Sequence, residues 1–167
     1  MGTFRFITAW QAFLAMSLFA LPAVAASIKL DGGIRTAIYD ENYKAGLGGE
    51  LGLLKPLSED WDIGLHLNYL HFRIKTENWT PVDEMGGYVT AYIRPKLNLD
   101  FSLRLGPHIG FSYVKNPYAD LGGDLMAYYG LNPNLDLYAA FIPSFLIGKN
   151  SQAMIRIGLG LEYSLGN

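Results

Sequence analysis

The side chains able to do chemistry are few and scattered. The chain has no cysteine and only three histidines, His66, His71 and His108. A serine hydrolase needs a hydroxyl within hydrogen-bond reach of an imidazole that an acid orients. His71 has Asp83 and Glu84 within reach across the next connection, but no serine lies there, so Thr80 or Thr90 would have to attack. His108 and Ser112 share one strand face but stand four residues apart, about 13 Å, too far for a hydrogen bond. The three histidines fall on two strands at different heights without an acidic cluster. Imidazoles bonded inside a fold account for them better than a metal site. The stretch DLGGD (120–124) lacks the ligand spacing of a calcium loop. The sequence therefore predicts no catalysis, no metal and no cofactor.

The elements that carry these residues begin after an apolar leader. Residues 12–25, AFLAMSLFALPAVA, follow Arg5 and end in Ala23-Val24-Ala25, the small-residue pattern of a signal peptidase site. Gln11 and Pro22 interrupt it as a membrane anchor, so residues 1–25 are expected to be a cleaved signal peptide and 26–167 a single domain. Half of the residues are hydrophobic and 17% are charged, with a formal net charge of -2. That is thin cover for a small soluble domain, whose surface is about a quarter to a third charged. No basic block suggests nucleic acid. Nothing after residue 25 is long and apolar enough for a spanning helix, and the other structure that lipid permits is a closed barrel.

Period-two alternation supports this. In the last segment Ile155, Ile157, Leu159, Leu161 and Tyr163 alternate with Arg156, Gly158, Gly160 and Glu162. Eight such segments lie near 28–39, 45–55, 62–75, 87–97, 101–113, 123–131, 135–147 and 154–165. In the third, the aliphatic face changes parity, which suggests a bulge near Tyr69. Tight connections LSEDW, LNLDF and LNPNL repeat one form and alternate with longer, more polar ones. The polar face is glycine, serine and a few charges, which suits the crowded interior of a narrow barrel. Trp61, Phe101 and Tyr163 near one rim, and Tyr39, Phe72, Tyr88, Tyr113 and Tyr118 near the other, suggest interfacial girdles. Candidate interior groups are Lys29, Asp31, Arg35, Glu50, His66, Arg94, Arg104, His108, Asp124, Arg156 and Glu162. Their roughly balanced charges suggest a salt-bridged plug. Pro107 and Pro143 each remove a ladder donor, giving either a local bulge or a lateral gap in the wall.

The run from Arg156 to Tyr163 resembles the C-terminal recognition signal of outer-membrane proteins, carried here by Arg156, Gly158, Leu161 and Tyr163. With the leader and strand count, residues 27–167 resemble a small porin-family barrel of the OmpX or OmpA-barrel kind. The resemblance implies an all-β, eight-stranded antiparallel transmembrane meander barrel in the bacterial outer membrane, both termini periplasmic. It would be a monomer in contact with outer-membrane lipid and lipopolysaccharide, folded by the barrel-assembly machinery, with a structural or envelope-interaction role. The alternatives are a lipid-binding or lipid A- or phospholipid-modifying barrel, or a small diffusion channel.

Overall fold

The structure, a computed structural model, describes residues 28–38, 43–74, 80–95, 97–98 and 100–165; on β1 and at the start of β2, side chains are described only for Gly33 and from Gly46 onward. The expected signal peptide and Tyr39 lie outside the described residues. The elements are β1 (Ile28–Ile38), β2 (Tyr43–Pro56), β3 (Trp61–Ile74), β4 (Thr80–Ile93), β5 (Phe101–Val114), β6 (Asn116–Asn132), β7 (Leu135–Ile147) and β8 (Gln152–Leu165). Each pairs antiparallel with its sequence neighbour, and β8 returns to β1, so the sheet closes into a barrel without an edge.

Strand tilt follows from the register. A row of directly opposed residues starting at Leu30 passes through Leu53, Leu65, Val89, Ile109, Leu121 and Phe145 to Ala153. It ends two residues beyond Ile155, the partner of Ile38 at the far end of β1. One circuit thus climbs nearly the whole wall, the steep stagger that closing a small barrel demands.

Alternation decides which side chains fill the lumen. Leu51, Leu67, Ile109, Leu125, Phe141, Ile157 and Leu159 stand exposed on the outer surface, whereas Arg104, His108, Asp124, Arg156 and Glu162 are buried within. Trp61, Phe101, Tyr129 and Tyr163 ring the tight-turn end on the outside, with Phe101 and Tyr129 paired and their ring centroids 4.9 Å apart.

The repeated form of the tight turns has a physical cause. The polar residue after the first leucine accepts a backbone N–H from two residues on: Asp60 to Ser58 Oγ at 3.3 Å, Asp100 to Asn98 Oδ1 at 2.9 Å, Asn134 to Asn132 Oδ1 at 3.0 Å. These side-chain turns fix the hairpins at that rim.

Several expectations are corrected. β4 begins at Thr80 and β6 at Asn116, each seven residues earlier than the alternation suggested. The segment KNPYADLGG is therefore mostly strand. Val114 pairs with Asn116 across Lys115, whose φ of 58° turns the chain. β3 has no bulge near Tyr69 and alternates without a break; the register shift lies across from it, between Lys44 and Leu47 of β2. What changes along β3 is the environment of each face. Its inner face passes from Asp62, His66 and Asn68 to Leu70 and Phe72, and its outer face from Leu67 and Tyr69 to His71 and Arg73. Phe72, Tyr88 and Tyr118 are accordingly buried in the lumen and do not belong to an outer girdle.

The prolines interrupt pairing on one side each. The β4–β5 ladder skips Ala91/Pro107 and Tyr92/Gly106, and the β6–β7 ladder skips Gly123/Pro143 and Asp124/Ile142. Pro107 still pairs with Gly123, and Pro143 with Ile155. The hairpin β5–β6 is thus flanked by two breaks in one row.

Candidate functional site

Inward-facing residues of β2 to β8 build a polar column in three tiers. Nearest the tight turns, Arg104 from β5 donates from Nε to Asp62 Oδ2 (2.8 Å) and from Nη2 to Glu162 Oε1 (2.9 Å), with Nη1 on Glu162 Oε2. Its guanidinium lies 4.2 Å from the Tyr128 ring centroid, so aromatic π-density faces the cation where carboxylates do not. Arg94 sits half-buried at the mouth, just past β4, 3.7 Å from Asp62 Oδ1 and donating to the carbonyls of Ser58 and Glu59. It anchors a turn to the rim more than it fills the lumen.

The middle tier centres on His66, stacked on Tyr88 at 4.8 Å. Its Nδ1 is 3.2 Å from Glu50 Oε1, and its Nε2 is 3.0 Å from Tyr92 Oη. Tyr92 donates its own hydrogen to Asp124 Oδ2 at 2.6 Å, so its oxygen is left to accept from His66. Tyr88 donates to Glu50 Oε2 at 2.8 Å.

The upper tier joins β4 to β8. Arg156 Nη2 donates to Glu84 Oε1 (2.9 Å) and Asp120 Oδ2 (2.6 Å), while Nη1 donates to Ser144 Oγ (2.9 Å). Ser112 also donates to Glu84. His108 places Nδ1 at 2.6 Å from Asp124 Oδ1, and Nε2 at 3.2 Å from both Ser144 Oγ and Asp120 Oδ1. Above this tier an apolar cluster of Leu70, Phe72, Val82, Val114, Tyr118, Leu146 and Met154 closes the lumen toward the other rim.

Of the sequence-derived interior candidates, Glu50, His66, Arg104, His108, Asp124, Arg156 and Glu162 meet in this column. Arg35 pairs in register with Gly48 and Gly158, and its side chain is outside the described residues. Lys29 and Asp31 are outside it likewise. Arg156 and Gly158 of the expected assembly signal face inward, while Leu161 and Tyr163 are exposed. Asp62, Glu84, Asp120, Ser112, Ser144, Tyr88 and Tyr92 were not among the candidates. With them, buried carboxylates among the described residues outnumber Arg104 and Arg156, so the charges are less balanced than the sequence suggested. Setting the starts of β4 and β6 too late hid Glu84 and Asp120; continuing the even-numbered parity upward would have found both.

His71 does meet Asp83, Nδ1 to Oδ1 at 2.9 Å, with Tyr69 Oη donating to the same oxygen at 2.8 Å. This group lies exposed on the outer wall, and Glu84 turns inward. Among the described residues no group of three or more His, Asp and Glu has a metal-binding arrangement.

A closed antiparallel meander with an apolar exterior and an ion-paired lumen is the fold of small outer-membrane barrels. Solved structures of that class are similar to this chain. Neisserial surface protein A matches with a TM-score of 0.65 at 14% identity, over 84% of this chain and 97% of its own. Ail, the attachment invasion locus protein of Yersinia pestis, matches at 0.55 and 18% identity over 84% and 97%. The N-terminal β-barrel domain of Pseudomonas aeruginosa OprF matches at 0.52 and 12% identity over 83% and 99%. At these identities the likeness is one of fold. No protein-family model and no curated protein sequence matches the chain.

Proposed function

We propose that the protein is a monomeric bacterial outer-membrane barrel, exported by its N-terminal leader and serving the envelope as a structural or interaction element closed to diffusion. One observation carries this reading: aliphatic side chains cover the outside while paired charges occupy the inside, the reverse of a water-soluble barrel. Bilayer hydrocarbon satisfies the first arrangement, and the cross-lumen ion pairs satisfy the second. Lipid and lipopolysaccharide are its surroundings, and Leu161 and Tyr163 on the outer face are the accessible part of the signal that the assembly machinery reads. A small diffusion channel is disfavoured by the apolar cluster above the ionic column.

Fractionation of cells followed by electrophoresis with and without boiling tests the membrane reading. Outer-membrane recovery with a heat-dependent shift in mobility is expected; a stable monomer in detergent-free buffer overturns it. In planar bilayers the purified barrel is expected to give no discrete conductance steps.

A further inference from the structure

We propose that His108 is a buried imidazolium whose extra proton latches the β5–β6 hairpin to its neighbours across the two proline breaks, so that rising pH loosens this hairpin before the rest of the barrel. This goes beyond the envelope role proposed above and does not depend on it.

Both ring nitrogens face carboxylate oxygen, Nδ1 at 2.6 Å from Asp124 Oδ1 and Nε2 at 3.2 Å from Asp120 Oδ1. A neutral imidazole has one N–H and one lone pair, so either tautomer would aim a lone pair at an anion; only the doubly protonated ring donates to both. Ser144 Oγ, also 3.2 Å from Nε2, accepts from Arg156 Nη1 at 2.9 Å and has a second lone pair for the ring. The other charged and titratable groups packed here agree. With a neutral ring, the upper tier would set Glu84, Asp120 and Asp124 against Arg156 alone among the described residues. Tyr88 of β4 lies 4.8 Å from the ring between centroids and offers its π-density to a cation. His66 reaches the cluster only through Tyr92, which donates to Asp124.

Position makes this proton a latch. Where the β4–β5 ladder skips Tyr92/Gly106, Tyr92 and Thr90 reach past Gly106 to Asp124 Oδ2 of β6, at 2.6 and 3.1 Å. Beside the pair Gly123/Pro143 that the β6–β7 ladder skips, His108 of β5 reaches past Gly122 to Ser144 of β7. Glycine keeps this second row open, since a Cβ on Gly122 would lie 2.6 Å from His108 Cε1. The bond between Asp124 and His108 joins the two bridges. One side-chain path, Tyr92 to Asp124 to His108 to Ser144, therefore ties β4 to β7 where backbone pairing is interrupted on both flanks of the hairpin.

An unfolded histidine releases its proton at about pH 6.5, whereas the clamped ring keeps one. The folded state thus binds more protons at neutral pH, and stability falls as pH rises, the unfolding equilibrium constant growing by up to about tenfold per pH unit for this one group. The stabilisation is complete below the unfolded value and is lost upward. Deprotonation leaves a lone pair facing Asp120 or Asp124, and the β5–β6 hairpin, with an interrupted ladder on each flank, is the part of the wall that gives.

Nitrogen-15 NMR of the folded wild type in detergent micelles at about pH 7.5, a unit above the free-histidine value, is expected to show both His108 ring nitrogens protonated. A single N–H there overturns the proposal. In urea unfolding from lipid vesicles at and above that pH, the wild-type unfolding constant should rise about tenfold more per pH unit than that of His108→Gln, while His71→Gln keeps the wild-type slope. Equal slopes for wild type and His108→Gln overturn it. Hydrogen exchange, corrected for its intrinsic pH dependence, is expected to lose protection first in β5 and β6 as the pH rises; simultaneous loss across β2 and β3 overturns the local latch. Should His108→Gln not fold, the wild-type spectrum and exchange pattern decide.

Discussion

The lower and upper parts of the β3–β4 hairpin have opposite polarity on a continuous pleat. Below Tyr69 the wall is greasy outside and polar inside; above it, Leu70, Phe72 and Val82 are buried while His71, Arg73 and Asp83 are exposed. The upper part is ordered like a soluble protein and the lower part like a membrane protein, with the same hydrogen-bonded ladder running through both. The comparison teaches that alternation reports only the existence of two faces. The solvent outside each level decides which one is apolar.

Substitutions can break this contrast, and the largest effect is expected in the ionic column. Arg156→Met removes the cation that Glu84 and Asp120 share, and removing one partner of such a buried group costs about 3–5 kcal/mol. Urea unfolding in lipid vesicles, followed by tryptophan fluorescence, would show the midpoint fall; an unchanged midpoint would mean that water reaches the column. In the upper part, Leu70→Ala removes a fully buried side chain and is expected to cost about 2–5 kcal/mol in the same titration. Its outward neighbour Leu67, facing lipid, tolerates the same change better, and equal losses at both sites would erase the distinction.

A further substitution sharpens the lower boundary. Leu159→Arg puts a cation on the outer face at a position 63% exposed, and a charge near the bilayer midplane costs about 2–4 kcal/mol. No loss of vesicle stability would place Leu159 in water. The smallest effect is expected at the exposed Tyr69, His71 and Asp83 group: Asp83→Asn should leave the unfolding midpoint unmoved, since exposed pairs contribute little.

Much of this was legible beforehand because lipid and a narrow lumen impose a strict period. β5, β7 and β8 ran as their alternation indicated, and the side-chain turns at Ser58, Asn98 and Asn132 were visible as a repeated form. The failures have two physical causes. On β3 the change of solvent imitated a change of parity, so a straight strand read as bulged. In KNPYADLGG, turn-forming residues masked a strand in which Gly122 serves close packing: a Cβ there would lie 2.2 Å from the Pro143 carbonyl oxygen and 2.6 Å from His108 Cε1. The hydrogen-bonded cluster of Ser144, His108 and Asp124 could not be found by searching along any one strand. Its members are 16 to 36 positions apart, and cross-strand register alone makes them neighbours.

The apolar cluster at the upper end has a consequence for permeation. On the proposed reading, a lumen packed with leucine, phenylalanine and methionine above its charges offers ions and water no polar surface to follow at that level.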